Sequence, residues 1–147
     1  LSEEKTAITH IDKGFDFLGW TFKKYSGKLI VKPSKSSIKN IIRKCSTIIL
    51  KEGKASTQSD LIRRLNQVIR GWTNYHKHVV ASKAFSIIIN FLFYFLQNWE
   101  KFRHPNKNKW WRLNKYWHER SWKRWLFKTD EFSLINLRRI KIVRHPK

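Results

Sequence analysis

The sequence predicts a mainly α fold: an N-terminal β-hairpin remnant, a three-helix bundle, and a small basic C-terminal helical module. Three observations lead there. Residues 15–32 combine aromatic strand formers with a Ser26-Gly27 turn. Residues 35–102 carry apolar side chains at helical spacing in three stretches separated by short polar breaks. Past residue 106 the composition shifts to interleaved tryptophan and cation.

Phe15, Phe17, Trp20 and Phe22 read as the outgoing strand and Leu29–Val31 as the return. Two strands alone are marginal in water, so the hairpin is expected to lean on the helices or on a further sheet. Pro33-Ser34 then breaks the chain. In the first helix Ile38, Ile41, Ile42, Cys45 and Ile49 share one arc, while Lys39, Asn40 and Arg43 face away. A polar loop, Lys51–Ser56, follows. Thr57 and Asp60 have capping-box spacing ahead of the second helix. That helix aligns Leu61, Ile62, Leu65, Val68, Ile69 and Trp72, with Arg63, Gln67, Arg70 and Asn74 opposite; Trp72 completes the apolar arc and is expected to anchor the core. The third helix, about Ser82–Phe102, is apolar nearly all round and calls for neighbours on several sides. Its uncharged run, Ala84–Trp99, falls short of the roughly 20 apolar residues of a membrane span.

Charge bounds the function. Thirty-two Lys and Arg against ten Asp and Glu give +22 and a pI near 10.6. Residues 1–100 hold 17 basic and 7 acidic groups, and residues 101–147 hold 15 and 3, so the excess is densest at the C-terminal end. With 15% aromatic residues, this balance points to nucleic acid. Lys107–Phe127 holds five tryptophans among seven Lys or Arg and is expected to be helical. If that helix is continuous, Trp110, Trp117 and Trp125 share a face. Most of the tryptophans, Trp111 and Trp122 included, are expected in the core, with one or two exposed for base stacking. Leu134–Val143 reads equally as strand or helix.

Catalytic patterns are sparse. There is no Gly-rich phosphate loop, no HExxH and no paired aspartates of the kind that hold Mg²⁺ in polymerases. His76 and His78 lack further metal ligands nearby and read as RNA contacts or helix C-caps. His118 and Glu119 invite an acid/base reading, but the cations around them point to local ion pairing instead. Cys45 is the only cysteine, which fits a reducing compartment. No signal peptide is visible. With no methionine and Leu1 at its start, the chain is expected to be part of a longer protein.

Several blocks resemble group II intron reverse transcriptases/maturases. Phe17-Leu18-Gly19-Trp20 resembles the FLGF-type block that closes the palm at the primer grip, and Lys32-Pro33-Ser34-Lys35 the KPSK junction after it. Leu65–Tyr75, LNQVIRGWTNY, is similar to the centre of maturase domain X, the thumb. Arg103-His104-Pro105-Asn106-Lys107 resembles the block ending that domain, and Lys109–Trp117 the start of the DNA-binding D region. The resemblance implies three parts: the palm end (1–33), domain X (34–106) and the D region (107–147). It implies binding of intron RNA, primer–template duplex and target DNA alongside the rest of the parent reverse transcriptase, without membrane attachment, in a bacterial cytoplasm or an organelle.

The thumb contacts expected on this basis are Lys39, Arg43, Arg63 and Arg70. The D-region contacts are Arg103, His104, Lys107, Lys109, Arg112, Lys115, Lys123 and Arg124, with Leu18 and Gly19 in the primer-grip-like block. No polymerase motif lies in the chain, so it should catalyse nothing alone and carry no cofactor; Mg²⁺ is expected for the parent polymerase. Two rival readings make different demands. A free-standing basic helical DNA-binding module, of a recombinase or retron-type system, would bind duplex and ignore structured RNA. A membrane-surface protein would bind anionic lipid without preferring nucleic acid.

Overall fold

The computed structural model describes residues 13–119 and 125–137. Strands β1 (Phe15–Phe17), β2 (Trp20–Tyr25) and β3 (Lys28–Pro33) form an antiparallel sheet in that order. Helix α1 (Lys35–Ser46) runs on through a π-helical turn, Thr47–Glu52. Helices α2 (Gln58–His76), α3 (Ser82–Arg103) and α4 (Lys109–Tyr116) follow, then a two-stranded ribbon of β4 (Trp117–Glu119) and β5 (Trp125–Phe127). The mainly α expectation holds.

The sheet has one strand more than the hairpin expected from sequence. Phe15 to Phe22 is not one strand, because the chain reverses at Leu18-Gly19. Leu18 (φ 54°) and Gly19 (φ 84°) match Ser26 (φ 50°) and Gly27 (φ 80°). Positive φ at both central residues is the mark of the type I′ turn, whose twist suits a hairpin. Leucine is a poor occupant of that position, which hid the turn. The pairing sets Phe15 opposite Phe22 with rings stacked at 5.2 Å.

Ser34 caps α1, its hydroxyl accepting from the Ser37 N–H at 3.1 Å. Ile41 and Cys45 point inward, and the widened π turn brings both Ile48 and Ile49 into the core. Burial pushes the Cys45 thiol up to about 12, so it packs as a small apolar side chain. Thr57 caps α2 as its spacing implied, accepting from Asp60 N–H at 3.2 Å. Leu61, Ile62, Leu65 and Ile69 are fully buried. Trp72 is less deeply set than expected: it packs half-buried at the margin, its indole N–H donating to Ser37 O at 3.3 Å and its ring meeting Phe85.

Helix α3 contributes Ala84, Phe85, Ile88, Leu92, Phe95, Leu96 and Trp99 to the core, while Phe91, Tyr94 and Phe102 stay exposed. The buried Trp99 indole donates to Gly53 O at 2.8 Å. Gly53 allows this close seating: a Cβ there would lie 2.5 Å from Ile48 O and 2.9 Å from Leu61 Cδ1.

The C-terminal segment departs most from expectation. Helix α4 stops after eight residues, and Trp117 is already extended, pairing with Phe127. The tryptophans therefore share no helical face. Trp110 is 69% exposed and Trp117 is buried, whereas Trp122 and the Trp125 side chain lie outside the described residues. Tyr116, Trp117, Phe127 and Leu137 join the helical core, with Trp99 edge-on to Tyr116 and Phe127 at 5.1 and 5.9 Å. Residues 134–136 are irregular, and 138–143 lie outside the described residues. Asn66 ties this segment to α2, donating to Ser133 O and accepting from Ile135 N–H, each at 2.9 Å.

Gly53→Ala should lower the unfolding free energy by about 1–3 kcal/mol, because backbone rather than a mobile side chain must yield. Urea titration checks this; unchanged stability would mean that the α1–α2 connection relaxes freely.

Candidate nucleic-acid interface

The three N-terminal motif blocks noted in the sequence meet around one buried side chain. His76, at the end of α2, accepts at Nδ1 from the Trp20 indole N–H at 2.9 Å. Indole nitrogen can only donate, so the imidazole proton sits on Nε2 and is given to Ser37 Oγ at 3.0 Å. One neutral ring thus joins β2, α1 and α2. Tyr75 stacks on Trp20 at 5.0 Å and donates to Leu18 O. Gly19 lies against Ser37, Tyr75 and His76, and its carbonyl accepts from Ser34 N–H at 2.8 Å. His76 is therefore neither an RNA contact nor a cap. Burial lowers its pKa to about 4 and keeps it neutral.

A second cluster lies at the α3–α4 junction. His104 hydrogen-bonds the Tyr116 hydroxyl and meets the Trp111 ring edge-on at 4.7 Å. Desolvation, helped by the nearby Lys115, Arg103, Lys107 and Arg112 charges, lowers its pKa. Lys107 and Lys115 lie over the Trp111 ring at 5.2 and 5.6 Å. Two of the expected contacts turn inward. Arg103 packs over Trp99 and donates to Lys54 O and Ser56 O at 3.3 and 2.6 Å. Arg112 is buried and donates to Lys107 O at 2.7 Å. It faces the buried carboxyl of Glu100, which accepts from the Trp117 indole at 3.0 Å and whose pKa burial raises to about 7. Sequence reading did not single out Glu100, because one acid at the end of an apolar helix looks like a solvated terminus.

The remaining expected contacts face outward. Lys39 and Arg43 are exposed one turn apart on α1. Arg63 and Arg70 are exposed on α2, Arg63 beside Asp60 at 3.9 Å. Lys107, Lys109 and Lys115 are exposed around α4, and Leu18 is exposed at the turn where Gly19 is half-buried. The structure brings Arg103, His104, Lys107, Arg112 and Lys115 together and leaves the α1 and α2 cations as separate stripes. Lys123, Arg124 and the Glu119 side chain lie outside the described residues. Among the described residues no three His, Cys, Asp or Glu side chains gather as a metal site. No described helix is long and apolar enough to cross a membrane.

The family model for the group II intron maturase-specific domain matches residues 38–117, from the first turn of α1 to the first residue of β4. The chain belongs to this family. No curated protein matches it. The maturase-specific domain is not a polymerase active site, and its place is in group II intron splicing. In this member the match takes in α1 from residue 38, the whole of α2, α3 and α4, and the α3–α4 cluster, while the sheet that His76 anchors lies N-terminal to it.

His76 and Glu100 set opposite pH dependences. The folded His76 pKa, about 4, lies below the ordinary imidazole value of 6.5, so its contribution is full above pH 6.5 and is lost as pH falls towards 4. The folded Glu100 pKa, about 7, lies above the ordinary carboxyl value of 4.5, so its contribution is full below pH 4.5 and is lost as pH rises through 7. Between pH 5 and 6.5 the slopes offset each other. Glu100→Gln should unmask the His76 slope, which the lowered His104 pKa reinforces, stability then rising with pH by up to about 1.4 kcal/mol per unit from His76. Urea unfolding across this range checks it, and a flat profile in the variant would refute the assignment.

Proposed function

We propose that this chain is the RNA- and DNA-binding C-terminal part of a group II intron reverse transcriptase/maturase. The carrying observation is a set of exposed cations on helices whose opposite faces are locked in the core. Lys39, Arg43, Arg70 and Lys109 make no ion pair with any described residue. Such groups neutralise phosphates and release counterions, and they hold their positions because the fold needs nothing from them. Residues 1–33 are the end of the palm, 34–106 the thumb and 107–147 the D region. The α1 and α2 stripes engage intron RNA and the primer–template duplex. Around α4, Lys107, Lys109 and Lys115, with Trp110 as a stacking platform, engage target DNA together with Lys123 and Arg124. Polymerase carboxylates and their Mg²⁺ belong to the rest of the parent protein, which works in a bacterial cytoplasm or an organelle.

The chain should bind folded group II intron RNA more tightly than random duplex. A plot of log K against log[salt] should be steeper than about −3, as several phosphate contacts require. In the parent enzyme, replacing Arg63 and Arg70 by Gln should weaken primer–template binding. The same change at Lys123 and Arg124 should spare primer extension and weaken target-DNA retention. If both double variants fail both assays equally, the division of labour is wrong.

A further inference from the structure

Helix α2 contains a glycine for which the fold has no use. Gly71 lies in the helix interior, is exposed, and a Cβ built on it meets nothing within 4 Å. The other four glycines have internal reasons, three at positive φ and Gly53 against the Ile48 carbonyl. A glycine inside a helix weakens it relative to alanine, through its greater freedom in the unfolded chain. At Gly71 no contact within the described residues offsets that loss. Glycine also lets another backbone approach a helix more closely than any side chain allows.

The neighbours on the helix surface indicate what approaches. Gln67 is one turn before Gly71, Arg70 is adjacent, and Asn74 and Tyr75 are one turn after it; all are exposed. The side chains of Gln67, Arg70 and Asn74 make no hydrogen bond or ion pair with described residues. The single acid of α2, Asp60, is paired with Arg63. The glycine is thus flanked by a guanidinium and two carboxamides without partners, on a chain of net charge +22. That chemistry suits a polyanion offering phosphate oxygens and hydroxyls rather than an apolar or basic protein surface.

We infer that Gly71 marks where the sugar–phosphate backbone of bound RNA lies directly against the α2 main chain, between Gln67, Arg70 and Asn74. The inference rests on the RNA-binding reading above and adds a steric determinant to it. Charge alone would tolerate a methyl group at this position; close backbone contact would not.

The test compares Gly71→Ala with the wild-type chain, using a folded transcript of the intron that surrounds the reading frame. The variant should melt roughly 2–4 °C higher, as a stabilised helix in a chain of this size should. It should bind the transcript at least tenfold more weakly, with an unchanged salt slope because no charge is removed. Asn90→Ala, an exposed interior position of α3, should leave binding unchanged. Binding of Gly71→Ala within twofold of wild type would overturn the inference and leave α2 to a protein partner. A lower melting temperature would overturn its premise of open space. A tenfold loss in Asn90→Ala would show that the effect is not local. Failure of the wild-type chain to bind the transcript would remove the RNA-binding reading itself, and it is recognised separately because it precedes any variant.

Discussion

The attachment of the sheet to the helices centres on one buried hydrogen-bonded line, from Trp20 through His76 to Ser37, with the Tyr75–Leu18 and Val80–Val31 bonds beside it. Its direction is forced from one end. The indole can only donate, so the imidazole must accept at Nδ1 and donate at Nε2. A second proton would set two N–H groups against each other in a buried site. The surrounding rings of Trp72, Tyr75 and Trp20 exclude water that could otherwise take over either role. Three segments, β2, the start of α1 and the end of α2, thus meet at one ring.

The other end of the molecule is organised around Trp99 and Glu100. Trp99 fills the space between the Gly53 turn and the β4–β5 ribbon, and the next residue turns a carboxyl towards Trp117 and Arg112. A buried charge is costly unless its partners are well placed. Here the raised pKa shows that desolvation outweighs the attraction of Arg112 and the indole hydrogen bond. The consequence is polarity with direction. Arg103 and Arg112 are held inward by carbonyls, so the lysines beside them supply the outward charge.

Helix existence, the cap at Thr57, and the apolar faces of α1 and α2 were legible because each rests on local spacing. The first I′ turn was not, since Leu18 is a residue such turns disfavour and tertiary contact with Tyr75 overrides the preference. The end of α4 was also missed. The Trp and Lys pattern continues unbroken past Tyr116, and only the packing of Trp117 against Phe127, and of Phe127 against Trp99, shows why the backbone becomes extended there. Among the expected contacts, exposure followed helix periodicity for Lys39, Arg43, Arg63 and Arg70. It did not for Arg103 and Arg112, because a long guanidinium side chain can fold back onto carbonyls that the sequence does not locate.

The α1–α2 connection shows what such inward-turned groups do to a loop. Lys51 and Lys54 are exposed, so their side chains are open to a trypsin-like protease. The carbonyls of Gly53, Lys54 and Ser56 are nevertheless held by Trp99 and Arg103 of α3. A protease needs several residues drawn out into an extended strand, and drawing these out means lifting Trp99 from the centre of the core. Cleavage after Lys54 therefore reports opening of the whole bundle rather than breathing of a surface loop. A tryptic site in an exposed loop thereby becomes a clock for global unfolding.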